Sequence, residues 1–72
     1  MSSASGPVTD ASGAMIIAKE TARNAGLASE FALITETVMD DGLWVVKMVY
    51  FGNNYKVEID PKTGEPLKWE QE

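Results

Sequence analysis

The chain has 72 residues, room for one domain and one core, with six basic and eleven acidic residues and a net charge of −5. It contains no cysteine and no histidine, which excludes a disulfide scaffold and the usual zinc sites, so stability must come from packing its 44% of hydrophobic residues. An acidic surface repels nucleic-acid phosphates and anionic headgroups, and no apolar run reaches the roughly 18 residues of a membrane span; neither nucleic-acid binding nor membrane insertion is expected.

Met1 to Pro7 are small, polar and uncharged, and residues 1–8 are expected to form a disordered tail or cloning remnant ahead of a single domain, 9–72. Within that domain the run Ala14–Ala18 is too short for a signal peptide and follows no basic region.

A helix comes first. Thr9 or Asp10 supplies a short side-chain oxygen to cap its free amides. Ala14, Ile17, Ala18, Thr21, Ala22 and Ala25 recur at helical spacing as a narrow stripe of small residues, suited to lying close against a sheet. Lys19, Glu20, Arg23 and Asn24 fall toward solvent, and Gly26 ends the helix with Leu27 packing back on its last turn.

Four strands follow. Phe31 to Met39 is the first, closed by the Asp40-Asp41-Gly42 turn. Leu43 to Phe51 is the second, with Trp44, Val46, Met48 and Tyr50 on one face, and Gly52-Asn53-Asn54 makes the next turn. Tyr55 to Asp60 alternates Tyr55, Val57 and Ile59 inward against Lys56, Glu58 and Asp60 outward. After a turn at Asp60–Glu65 comes a short closing strand, Leu67 to Glu70, with Leu67 and Trp69 on its apolar face. Short connections make sequential neighbours antiparallel. The fold expected is α+β: one N-terminal helix packed on a four-stranded antiparallel meander sheet, order 1-2-3-4.

The strand Trp44-Val45-Val46, a Gly-containing hairpin, and the run Tyr55-Lys-Val-Glu-Ile-Asp60-Pro-Lys-Thr-Gly64-Glu-Pro-Leu67 resemble the PepSY domain, whose hallmark is an extended segment ending in Asp, a short turn closing on Thr-Gly, and an apolar residue opening the last strand. The helix with Ala14, Ile17, Ala18 and terminal Gly26 is similar to the opening helix of that family, and the resemblance spans roughly residues 9 to 70. It implies a helix packed on an antiparallel sheet, no catalytic residues, and a peptidase-inhibiting or regulatory role in a secreted, periplasmic or cell-envelope setting.

Catalysis is not expected from the residues either. Without His or Cys, a Ser, Thr or Lys nucleophile lacks its usual base, and Glu58, Asp60, Glu70 and Glu72 fall on outward strand positions or the tail, with no apolar pocket to raise a carboxyl pKa. Asp60 and Glu65 offer oxygens to a cation, but the acid spacing of a calcium loop is missing and Lys62 stands in the way, so a self-bonded turn is the expectation. Asp40-Asp41 reads as a solvated hairpin tip. No metal site and no cofactor are expected. Trp44, Tyr50, Tyr55 and Trp69 share the parity of the apolar strand residues and belong to the core rather than to a ligand groove.

The opposite sheet face breaks the rule that a wet face is polar. Val45, Val49 and Phe51 point outward on the second strand, and Ile34 and Val38 join them on the first if Glu36 marks its outward parity. These five residues are the candidate partner-binding patch. The competing readings are singly exposed strand residues, or a bulge that flips part of the parity. The function expected is a non-catalytic protein-binding or regulatory module whose partner is a protein, a peptidase or a second copy of the chain; the alternative is a structural, self-associating domain.

Overall fold

A carboxylate starts the helix. Asp10 is extended (φ −143°, ψ 167°) and its side chain accepts from the Gly13 amide at 2.9 Å, so α1 runs Ala11–Asn24 in the computed structural model, which describes residues 7–72. Ala14, Ile17, Ala18 and Ala22 are buried along one face, as the stripe predicts, while Ala25 has passed the helix end and is exposed. Gly26 takes φ 97°, and the Leu27 amide returns to the Ala22 carbonyl at 3.0 Å, which carries Leu27 back against the core.

A 3₁₀ turn at Ser29–Phe31 takes the start of the expected first strand, and β1 runs Leu33–Asp40. Then come β2, Leu43–Tyr50; β3, Asn53–Ile59; and β4, Pro66–Gln71. Each pairs antiparallel with the next, giving one four-stranded sheet in the order β1-β2-β3-β4 with α1 packed on one face. The α+β meander expected from the sequence is the observed fold.

The core lies between the alanine stripe and the inner parity of the sheet. Val46, Met48, Val57 and Ile59 are its largest fully buried side chains, each contributing roughly 1.5–3 kcal/mol by leaving water. Alanines at the contact let the helix come close, so the sheet supplies the volume. Trp44, Tyr50, Tyr55 and Trp69 pack around this centre, Tyr55 and Trp69 stacked at 4.9 Å. The polar ends of two of them act as ties. The Tyr50 hydroxyl accepts from the Ala28 amide at 3.1 Å, holding the helix–strand connection, and Trp44 Nε1 donates to the Val8 carbonyl at 3.0 Å.

Three expectations need correction. Residues 1–6 of the expected tail lie outside the described residues, but Val8 is a core residue: it is buried, its amide donates to Pro61, and the indole of Trp44 needs its carbonyl. Leu67 does not share the apolar face with Trp69, because a register shift between Glu58 and Ile59 pairs Ile59 with Pro66 and leaves Leu67 54% exposed. The turn placed at Gly52-Asn53-Asn54 falls one residue earlier, on Phe51 and Gly52, with Asn53 and Asn54 inside β3. Both corner residues have positive φ, 49° and 82°. Such a two-residue turn matches the twist of the strands it joins, but a bulky side chain at its first corner costs about 1–2 kcal/mol.

Two stability predictions follow from these positions. The Thr37 hydroxyl is buried with no partner among the described residues, so Thr37→Val should raise stability by about 1 kcal/mol in urea unfolding; a loss would show that the hydroxyl is satisfied. Phe51→Asn should stabilise by a similar amount, about 1 kcal/mol, because asparagine tolerates the left-handed corner. A fall of that size would instead show that the ring contacts of Phe51 outweigh its strained backbone.

Candidate protein-docking surface

The face of the sheet away from α1 divides into two unlike halves. On β3 and β4 it carries Lys56, Glu58, Lys68 and Glu70, held in a lattice of ion pairs: Lys56 Nζ lies 3.4 Å from Glu70 and 3.7 Å from Glu58, and Lys68 Nζ lies 3.7 Å from Glu70. The Glu70 carboxylate first, with Glu58 and Glu72 adding to it against a smaller effect of burial, holds the Lys56 ammonium above its ordinary 10.5. A raised lysine pKa means that this pairing stabilises the fold fully below pH 10.5, and that its contribution is lost as the pH rises through the raised value. This half is polar and pairs within itself.

The β1–β2 half is mixed, with two apolar pairs on either side of the Glu36–Lys47 pair. Val38 stands opposite Val45 and Leu33 opposite Val49, all on the outer parity. Three of the five residues expected in the patch are therefore brought together: Val38, Val45 and Val49. Val45 is nevertheless only 9% exposed, flanked by Val38 on β1 and Glu58 on β3, so the accessible part of the strip lies toward the β1 edge.

Ile34 and Phe51 are placed elsewhere. A bulge between Ile34 and Glu36 inserts Thr35, so that Ile34 faces Met48 while Glu36 faces Lys47. Parity taken from Glu36 thus fails for Ile34, which packs against the core on the helix side. Phe51 leaves β2 at the turn; it is 71% exposed, its ring 4.8 Å from Tyr50 and 5.7 Å from Phe31.

Several residues of this surface do not stand out from strand alternation. Leu33 is the most exposed residue of the outer strip at 68%, and it stands there because Ile34 turns inward. On the helix side, Met15 and Ile16 lie beside the buried stripe and remain exposed. With Ile34 they form the apolar lining of an open groove of about 440 Å³ between α1 and β1, which Lys19, Glu20 and Arg23 also line. The sequence signal for this second apolar line is the adjacent Met15-Ile16-Ile17 triplet, wider than a single stripe needs.

Among the described residues, eight large apolar side chains are left exposed, and seven of them gather on the β1 side. Leu33, Val38 and Met39 belong to β1, Phe31 leads into it, Phe51 touches Phe31, and Met15 and Ile16 line the adjoining groove. Only Leu67 lies elsewhere.

The acidic turns sit apart from this surface or at its end. Asp60 accepts from the Lys62 amide at 2.8 Å, and the Gly64 amide closes on the Asp60 carbonyl at 2.8 Å, the self-bonded turn read from the sequence. Asp40 and Asp41 are exposed at the β1–β2 hairpin tip. Among the described residues, no group of three or more His, Cys, Asp or Glu is placed to hold a metal ion, and no helix is long and apolar enough to cross a membrane. Comparison of the chain with protein-family profiles, curated proteins and solved structures finds no match.

Proposed function

We propose that the chain is a non-catalytic module that binds another protein along the β1 side of its sheet. Among the described residues, the gathering of seven of the eight exposed large apolar side chains on both sides of one sheet edge carries this reading, since singly scattered apolar residues need no explanation but a concentration of them marks an interaction site. Phe51 adds to it. A bulky, exposed aromatic at a left-handed corner that favours glycine or asparagine fits an anchor for a partner. The resemblance of the carboxy-terminal half to the PepSY domain supports regulation of a peptidase outside the cytoplasm as the setting.

Self-association is the second reading, favoured by the outer strip in which the apolar pairs Leu33–Val49 and Val38–Val45 flank the Glu36–Lys47 pair, a pattern able to meet its own copy about a two-fold axis.

Selection of random dodecapeptides on the immobilised chain, followed by titration of the enriched peptides against a Leu33→Gln/Ile16→Gln variant, tests the docking surface. Both substituted side chains are exposed, so the variant should fold. Enriched peptides are expected to lose about ten-fold or more in affinity on the variant. Peptides that bind parent and variant equally would overturn the reading.

A further inference from the structure

We propose that the partner segment is an extended strand alternating basic and apolar residues, laid against β1 as a fifth strand of the sheet. The proposal rests on the docking reading above and assigns the chemistry of its occupant.

The first observation is the contrast between the two sheet edges. An edge strand presents a row of unpaired backbone N–H and C=O groups, and folded proteins blunt such rows with proline, lysine, bulges or short length. β4 is blunted: it opens on Pro66, carries Lys68, pairs through a register shift and has six residues. β1 has eight residues, neither lysine nor proline, and regular pairing from Glu36 to Asp40 beyond its bulge. Its free edge is competent to template another strand, and it is the edge around which the exposed apolar residues gather.

The second observation is what flanks that edge on each side. Side chains of an added strand project alternately to the two faces of the sheet. One set enters the groove of about 440 Å³ between α1 and β1, whose lining includes Met15, Ile16 and Ile34, and therefore is apolar. Lys19 and Arg23 in that groove, with Glu20 offsetting one of their two charges, disfavour cations on this side. The other set lies beside Leu33, Glu36, Val38 and Asp40 on the outer face, with Asp41 at the hairpin tip. Lys47 faces Glu36 from β2, one strand in from the edge, so the charges on the edge strand itself are all acidic and the residues that meet Glu36 and Asp40 are therefore basic. The chain's net charge of −5 acts in the same sense on a cationic partner at a distance. The same charges disfavour a second copy on this edge: it would set the Glu36 and Asp40 of one β1 near those of the other, between two bodies of like charge.

The test uses the full chain and three capped octapeptides: one alternating lysine and valine, one with the same composition in two blocks, and one alternating glutamate and valine. Binding is followed by fluorescence anisotropy in about 0.15 M salt, with amide hydrogen exchange to locate it. The alternating lysine peptide is expected to bind with a Kd on the order of 10–100 μM and to slow exchange in β1 but not in β4. The block and glutamate peptides, and the Glu36→Lys variant with the alternating lysine peptide, should each weaken binding about five-fold or more; Glu36→Gln should fall between. Equal binding of the alternating and block peptides would overturn the proposal, as would protection appearing on β4. A dimer of the chain alone, dispersed by Val38→Lys, would put a second copy on the edge instead. Should the library selection return β1-dependent peptides that are acidic or uncharged, the docking surface stands and this charge assignment falls.

Discussion

One helix can cover only one face of a sheet, and every unusual feature of this domain follows from that limit. Among the described residues no second layer closes the other face or the edges. The inner face is solved by contrast in size: small side chains on α1 let it lie close while Val46, Met48, Val57 and Ile59 fill the space from the sheet. Around this thin centre the aromatics do double duty, their rings extending the core and their polar ends tying the irregular segments, as Tyr50 does for Ala28 and Trp44 for Val8.

The remaining surface is handled in two ways. Across β3 and β4 it carries an ion-pair lattice centred on Lys56 and Glu70, which suits solvent. Across β1, and over the helix face beside it, exposed apolar side chains are interspersed with charges, with a free edge and an aromatic held at a strained corner. A domain under selection for solubility alone has simple remedies for all three: a lysine on β1, a polar residue at Ile16, an asparagine at Phe51. Their joint absence on one side, with the opposite edge blunted by Pro66 and Lys68, is the reason for reading that side as a binding surface.

Much of the fold was legible because local chemistry and periodicity agreed. The helix limits followed from a cap at Thr9 or Asp10 and from Gly26, and β2 and β3 from alternation broken by glycine-containing turns, although the second turn falls one residue earlier than read. The site was legible only in part. Val38, Val45 and Val49 share the outer face as alternation demands, but the bulge at Thr35 reverses parity midway along β1, sending Ile34 inward and Leu33 outward. A bulge is decided by how a strand meets its neighbour, which no count along one strand reveals. The same holds for Leu67 on β4, and for Phe51, whose place depends on where the hairpin turns. Met15 and Ile16 were legible as apolar residues, but their groove exists only because α1 and the β1 edge lie side by side.

The central claim is that the apolar residues on the β1 side serve recognition rather than the stability of the fold. Urea unfolding of a Leu33→Thr/Val38→Thr/Phe51→Asn variant tests it most directly, because all three side chains are exposed and none belongs to the core cluster. The variant's stability is expected within about 1 kcal/mol of the parent chain, with an unchanged denaturant slope. A loss of about 3 kcal/mol or more would contradict it, by showing that these residues hold the fold together.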